Sequence, residues 1–184
     1  MTGRAGRVPP QITASYIENA AMHYLERFAS SRANLRRVLM TKVRRSLAHW
    51  GGEPAEAEAV VDAVLLRLTG LGYLDDAVYA DIKVRGLARR GGSLRAIRAT
   101  LSAKGVEAET VAAALTELGP DSDRAAALAL ARRRRLGPFR LSEVRADYRT
   151  RDLASLGRAG FSWEVARAVI DGDGAEPDDG SETG

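Results

Sequence analysis

The sequence resembles itself at two fixed offsets, and this self-similarity limits the folds that the chain can adopt. At an offset of 62 residues, one set of positions matches another: Ser31, Leu35, Arg36, Leu39 and Lys42 against Ser93, Ile97, Arg98, Leu101 and Lys104. At an offset of 55, a second set matches a third: Leu101, Gly105, Val106, Glu109 and Leu115 against Leu156, Gly160, Phe161, Glu164 and Ile170. The pattern in each matching segment predicts a short capped helix, a tight turn and a second apolar helix. A unit of this kind buries only part of its apolar surface alone, so neighbouring units have to stack in tandem.

Apolar residues recur at helical spacing along nearly the whole chain. One example is the set Ile17, Ala21, Tyr24 and Phe28, which follows a capping box that begins at Ser15. Glycines and prolines stand between such segments, and no segment alternates apolar and polar residues over the length of a strand. The predicted fold class is therefore all-α, with about nine or ten short helices.

The same signals predict five successive regions. They are a flexible basic N-terminal segment at 1–14, a first helical unit at 15–92, a second three-helix unit at 93–139, a third helical unit at 140–170 and a disordered acidic tail at 171–184. Trp50, beside Gly51 and Gly52, is expected in a loop of the first unit. Two interpretations of the acidic tail stay open: it solubilises the chain, or it folds back on a basic face and competes with DNA.

Charge is distributed unevenly along the chain. The formal net charge is +4, but the 171–184 tail holds six acids and no base, so the rest carries 28 Lys and Arg against 18 Asp and Glu. All but three of these bases are arginine, which forms two-pronged contacts with phosphates and carboxylates. Arg27–Arg45 contains seven bases and no acid, and Arg85–Lys104 contains six bases and no acid. Such segments favour a polyanion or an acidic protein as partner, and the alternative is an ordinary solvated helix face.

The sequence contains no motif for catalysis or for a metal or cofactor site. It has no cysteine, only two histidines, no phosphate-binding glycine loop and no His-Glu-x-x-His segment. Asp75 and Asp76 stand where a helix begins, and we interpret them as a cap and a complement to the helix dipole rather than a cation site. We therefore expect a protein that is not an enzyme and binds no cofactor.

No membrane segment is predicted either. The longest apolar run, Ala125–Ala131, is far shorter than the roughly 20 residues that span a bilayer. The N-terminal residues lack the apolar stretch of a signal peptide. The expected location is the cytoplasm.

A helix-turn-helix reader of DNA sequence is one alternative. Ser93–Lys104 and Glu107–Leu118 have suitable lengths and flank a turn at Gly105. The second helix carries Glu107 and Glu109, however, whereas a recognition helix needs Arg, Lys, Asn or Gln to contact base edges. Sequence-specific recognition is not predicted, and nonspecific phosphate contact by arginines remains open.

Trp163 follows Ser162 at a predicted helix start and has two interpretations. Its indole would stack on a nucleic-acid base if it were exposed. We instead predict that it is buried against the neighbouring unit.

Four segments together resemble the RecX family of recombination regulators. They are Ser31–Lys42, the Leu-Gly-Tyr-Leu-Asp-Asp sequence at Leu71–Asp76, Ile97–Gly105, and Gly160–Val165. Their order and spacing extend over about 140 residues of the chain. The family usually has a glycine-aromatic turn after the position of Lys42, where this chain has an insert at residues 43–53 that brings Arg44, Arg45 and Trp50.

The resemblance implies tandem three-helix repeats that form an elongated, curved helical array. It also implies binding to RecA recombinase in the groove of its single-stranded DNA filament, with lowered ATPase, strand-exchange and coprotease activities. The expected state is a monomer. The alternative is a general DNA-binding helical protein that contacts phosphates without RecA.

The implied RecA and DNA contacts require arginines along one side of such an array. We hypothesise that the contacts are made by Arg36, Arg37, Arg85, Arg89, Arg90, Arg95, Arg98, Arg132, Arg133, Arg134 and Arg135.

Overall fold

The computed structural model describes residues 8–174, and within that range the chain forms nine α-helices and no strand. The helices are α1 (Ala14–Leu25), α2 (Arg32–Trp50), α3 (Pro54–Gly70), α4 (Asp76–Arg89), α5 (Leu94–Ala103), α6 (Ala108–Thr116), α7 (Ser122–Arg134), α8 (Arg145–Arg158) and α9 (Trp163–Ile170). Two short 3₁₀ turns, Gly137–Phe139 and Ser142–Val144, connect α7 to α8. The predicted all-α fold class is confirmed. None of the described helices is both long enough and apolar enough to cross a bilayer.

Helix α2 extends through most of the segment that the sequence suggested was an insert. Val43 has no exposed surface and Ser46 is buried, so the inward-facing side of the helix continues past Lys42. Gly51, with φ of 72°, ends the helix. The prediction of a loop at Trp50 was therefore wrong, because Trp50 is the last residue of α2.

The described chain divides into two compact units. The first comprises residues 8–79 together with 104–106, and the second comprises 80–103 and 107–174. Helices α1, α2 and α3 enclose the core of the first unit, which includes Ile17, Leu35, Leu39, Val43, Val61, Leu65, Leu68 and Leu74. Helices α7, α8 and α9 enclose a core in the second unit, which includes Ala127, Leu130, Leu136, Leu153, Leu156, Phe161, Val169 and Ile170. The predicted boundaries at 15–92, 93–139 and 140–170 stay predictions.

In the first unit, the hydroxyl of Ser31 joins two segments that are distant in sequence. It accepts a hydrogen bond from the backbone N–H of Asn34, and so caps α2. It also donates to the carbonyl of Lys104. The next residue, Gly105, has φ of +73°, and a Cβ added to it would lie 2.5 Å from the Cβ of Ala33. Only glycine fits here, since the backbone is left-handed and the neighbouring helix is in contact.

Ser93 makes the equivalent junction in the second unit. Its hydroxyl caps α5 by accepting from the N–H of Ala96 at 3.2 Å, and it donates to the carbonyl of Ala159 at 2.8 Å. Gly160 follows with φ of +97° and lies against the Ser93 hydroxyl. The sequence matches at offsets of 62 and 55 therefore correspond to the same set of hydrogen bonds, made once in each unit.

The carboxylate of an aspartate completes each junction. The backbone N–H of Arg32 donates to Asp76 Oδ1 at 2.8 Å, and the N–H of Leu94 donates to Asp123 Oδ1 at 2.8 Å. Each carboxylate thus satisfies a backbone donor in the first turn of a helix, which has no partner within that helix. Since Asp76 and Asp123 lie in the first turns of α4 and α7, each also complements the dipole of its own helix.

A buried ion pair holds the connection between α7 and α8. Asp152 on α8 is 1% exposed and accepts from Arg140 Nε at 2.6 Å, from Arg140 Nη2 at 2.8 Å and from the N–H of Gly137 at 2.8 Å. Burial raises the pKa of Asp152, but the hydrogen bonds from Arg140 and Gly137 outweigh it and hold the pKa below the usual aspartate range. Arg140 also lies over the ring of Tyr148, 4.4 Å from its centroid.

Part of the N-terminal segment contacts helix α2. Trp50 Nε1 donates to the carbonyl of Pro9 at 2.7 Å, and the Ser46 hydroxyl donates to that of Pro10 at 2.8 Å. Residues 1–7 of the segment predicted to be flexible, and residues 175–184 of the predicted acidic tail, lie outside the described residues.

Replacing Leu101 by alanine is expected to lower the free energy of unfolding by about 2–5 kcal/mol. Leu101 has no exposed surface, so the smaller side chain leaves a cavity. Urea unfolding followed by circular dichroism measures the change. Leu66→Ala is the matched control, since Leu66 is 66% exposed, and it should change stability by less than about 0.5 kcal/mol. Equal losses in the two variants would contradict the burial of Leu101.

Gly105→Ala is expected to destabilise the protein more than Gly119→Ala does. Both glycines have left-handed backbones, but only the Gly105 position is crowded, whereas nothing lies within 4 Å of a Cβ at Gly119. The difference in stability between the two variants therefore measures the cost of the contact with Ala33. Overpacking of this kind costs about 1–3 kcal/mol. Thermal unfolding of both variants gives the comparison, and identical melting temperatures would argue against the junction.

Acid should lower the free energy of unfolding of the wild-type protein by protonating Asp152. Asp152→Asn should remove this part of the pH dependence. Because the folded-state pKa is depressed, the stabilisation is present above the unfolded-state value of about 3.9 and is lost as pH falls through the folded-state pKa. At neutral pH the variant should lose about 3–5 kcal/mol, since Arg140 is left without its carboxylate. Urea unfolding at neutral and acidic pH tests both statements. Asp147→Asn, at an exposed position in the first turn of α8, is the control and should cost no more than about 1 kcal/mol at neutral pH.

Candidate nucleic-acid interface

The arginines predicted to contact RecA or DNA fall into two groups. Arg36 and Arg37 lie on α2 in the first unit. The others belong to the second unit, where they lie in the last turns of α4, on α5 and at the end of α7. The structure gives these side chains different local partners, which separates those that are neutralised from those that are open to a ligand.

Arg36 is neutralised within the first unit. Its Nε lies 2.7 Å from Asp62 Oδ1, and its Nη2 lies 3.1 Å from Glu58 Oε2. The hydrogen bond to Asp62, followed by that to Glu58, raises the pKa of Arg36, and the same hydrogen bond lowers the pKa of Asp62. An anion that bound Arg36 would have to replace two carboxylates on α3.

Arg37 and Lys104 converge on the side chain of Asn34. Arg37 Nη1 lies 3.5 Å and Lys104 Nζ lies 3.3 Å from Asn34 Oδ1. The amide nitrogen of Asn34 donates to the hydroxyls of Ser30 and Tyr24, which fixes its orientation. Lys104 was not among the predicted residues, although its match to Lys42 at the offset of 62 was visible in the sequence.

In the second unit, the end of α4 lies against α7. A Cβ added to Gly91 would lie 3.0 Å from the carbonyl oxygen of Ala126 and 3.0 Å from the nitrogen of Leu130. Arg133 Nη1 donates to the carbonyl of Arg90 at 2.6 Å. Two of the basic segments, 85–90 and 132–135, are thus brought together.

Several arginines of this unit already have partners. Arg85 Nε pairs with Asp81 Oδ1 at 2.7 Å, and Arg134 Nη1 lies 3.3 Å from the Ser155 hydroxyl. Arg132 lies over the ring of Phe139, with its guanidinium carbon 5.4 Å from the centroid. These contacts leave the cations accessible, but each is held in place by its neighbours.

A further group is exposed and is called here the open arginines. Its members are Arg89, Arg90, Arg95, Arg98 and Arg135. Within residues 8–174 their guanidinium groups make no ion pair or hydrogen bond. Arg135 is also the C-cap of α7, in the left-handed conformation with φ of 54°. Exposed guanidinium groups with no protein partner are suited to two-pronged contacts with phosphates.

Asp75 has the capping role that the sequence predicted. Its Oδ1 accepts from the N–H groups of Ala77 and Val78 at 2.8 and 3.0 Å, while Asp76 binds the N–H of Arg32. Among the described residues, no cluster of His, Asp or Glu is arranged to hold a metal ion.

The prediction that Trp163 is buried was wrong. The residue is the first of α9 and is 63% exposed. The core beneath it is formed instead by Phe161, Ala166, Val169 and Ile170, which lie on the other side of the helix or in the preceding turn. Sequence periodicity did not separate Trp163 from these residues, because a large apolar residue next to a cap is compatible with either orientation.

Comparison with known proteins assigns the family. Residues 75–115, which include α4, α5 and most of α6, match the model described as RecX, second three-helix domain. The chain is 44% identical over 170 residues to the regulatory protein RecX of Myxococcus xanthus, covering 91% of each chain. It is 33% identical over 162 residues to the regulatory protein RecX of Agrobacterium fabrum, covering 88% of this chain and 85% of that protein.

Solved structures support the fold. A crystal structure of regulatory protein RecX matches with a TM-score of 0.62 at 21% identity, over 86% of this chain and 72% of the other. RecX from Lactobacillus salivarius matches with a TM-score of 0.62 at 22% identity, over 85% of this chain and 94% of the other. With nearly full-length relatives at up to 44% identity and the same helical fold, the chain belongs to the RecX family of regulatory proteins.

Proposed function

We propose that this protein binds RecA and its filament on single-stranded DNA, and that it lowers the ATPase, strand-exchange and coprotease activities of RecA. The observation that carries the proposal is the 44% identity to a regulatory protein RecX along 91% of both chains. The protein acts by binding in the cytoplasm, as a monomer, and has no catalytic activity of its own. The filament groove is its site of action.

The open arginines are the residues that we assign to the DNA backbone. Each contact with a phosphate of a single strand releases a counterion and contributes about 0.7 to the slope of log affinity against log salt concentration. Arg36, Arg85, Arg133 and Arg134 have protein partners and contribute less, because an incoming phosphate has to displace an existing contact. Arg37 and Arg132 complete the proposed surface.

The test is a titration of RecA ATP hydrolysis on single-stranded DNA with this protein at far less than one molecule per RecA. We expect inhibition at these ratios, since a protein that acts on the filament affects many RecA subunits at once. Arg89→Glu/Arg90→Glu should weaken inhibition and reduce the salt slope of filament binding by about 0.7 for each lost contact.

Arg44→Glu/Arg45→Glu is the matched control. It reverses an adjacent pair of exposed arginines on α2 and changes the net charge by the same amount. It should leave inhibition nearly unchanged. Equal loss in the two double variants would mean that only net charge matters. Unaffected hydrolysis, with DNA still bound, would contradict the RecA proposal and support a general DNA-binding protein.

A further inference from the structure

Trp163 is a large aromatic side chain that is exposed on the surface of the described chain. It is 63% exposed, and within residues 8–174 its ring makes no aromatic or cation–π contact and its indole N–H donates no hydrogen bond. Trp50, the other tryptophan, has both a hydrogen bond and a ring contact. Its N–H donates to Pro9 and its ring packs edge-on against His49, with centroids 4.7 Å apart.

Open arginines lie beside the turn that precedes Trp163. A Cβ added to Gly160 would lie 3.7 Å from the Cβ of Arg95, so the start of α5 contacts this turn. Arg98 is exposed on the same helix, roughly one turn further along. Arg158 is exposed two residues before Gly160. Trp163 is three residues beyond Gly160, which places its Cα within about 11 Å of the glycine Cα.

Trp163 also lines a shallow cleft whose charges are balanced. The cleft has a volume of about 450 Å³, and its lining includes Glu164, Arg167 and Asp171. Asp171 pairs with Arg149 at 2.7 Å and lies 3.8 Å from Arg167. Around the Gly160 turn, Arg95, Arg98 and Arg158 outnumber the carboxylate of Asp123, which accepts from the N–H of Leu94. A polyanion is therefore attracted to the turn rather than into the cleft.

We propose that Trp163 is a base-stacking residue for single-stranded DNA, and that the sugar-phosphate backbone passes over the Gly160 turn onto Arg95, Arg98 and Arg158. An exposed indole beside partnerless arginines has the two components of such a site, because any base stacks on a π face while the cations bind the backbone. The site takes a single strand, since a paired base does not present its face. This inference deepens the proposed function and rests on its DNA contact.

The test uses the indole as its own reporter in the full chain. Trp50→Phe leaves Trp163 as the sole tryptophan. Its emission is titrated with oligodeoxythymidylate and with an oligonucleotide of the same length made of abasic sugar-phosphates. Stacking should quench the emission with the first ligand, whereas the abasic strand should bind through the arginines without quenching. Equal quenching by both strands, or none by either, would overturn the proposal.

Substitutions distinguish the contribution of base stacking to DNA binding from that of the contacts with the sugar-phosphate backbone. Trp163→Ala should weaken oligodeoxythymidylate binding about five- to 150-fold and leave abasic binding unchanged, while Trp163→Phe should retain part of the affinity. Arg95→Glu/Arg98→Glu should weaken both strands alike. Thermal unfolding checks that Trp163→Ala is folded, as expected for an exposed position. Unchanged affinity in folded Trp163→Ala would refute the assignment.

RecA ATP hydrolysis, measured with the same proteins, distinguishes the two proposals. If inhibition is normal but Trp163 is not quenched by DNA, the stacking proposal fails alone. If Trp163 emission changes only when RecA is added without DNA, the residue belongs to a protein-binding surface and the stacking proposal is again overturned. If oligodeoxythymidylate quenches Trp163 and the abasic strand does not, but RecA is not inhibited, the stacking proposal holds and the regulatory proposal fails.

Discussion

Each unit of the structure depends on one serine hydroxyl, that of Ser31 or that of Ser93, which makes two hydrogen bonds at once. As an acceptor it caps the start of one helix, and as a donor it holds the last carbonyl before a glycine turn elsewhere in the chain. Since a hydroxyl has one proton and two lone pairs, Ser31 and Ser93 use both functions. An alanine at either position would leave a helix N–H and a turn carbonyl without partners. The repeated helices are thereby joined by polar contacts of fixed geometry as well as by apolar packing.

The sequence predicted the helical fold and several helix starts, such as those at Ser31, Ser93 and Ser162, because capping serines act locally. The capping box predicted at Ser15 was wrong, since Thr13 caps α1 and Ser15 lies within the helix. The sequence did not predict the length of α2, since the residues after Lys42 continue the helix only by packing Val43 and Ser46 inward. The orientation of Trp163 was also mispredicted. Which side of a helix meets a neighbour is decided by contacts distant in sequence, and a single apolar residue next to a cap carries no information on them.

The same limit applies to the arginines. Composition identifies them as a class, but only tertiary structure shows that Arg36 is neutralised by α3 while Arg95 and Arg98 are exposed without a partner. Surface ion pairs contribute little to stability, so the pairing of Arg36 or Arg85 matters more for what each residue is able to bind. A local charge count that ignores existing partners therefore overestimates the surface available to phosphates.

The first unit is discontinuous along the chain, since it is completed by residues 104–106. Consequently, no single cut of the polypeptide divides the molecule into its two units. During synthesis, Lys104, which binds both the Ser31 hydroxyl and the Asn34 amide oxygen, leaves the ribosome about 70 residues after those two residues. The first unit is therefore completed only after residues 80–103 of the second unit have already been translated, so its folding overlaps with the start of the second unit.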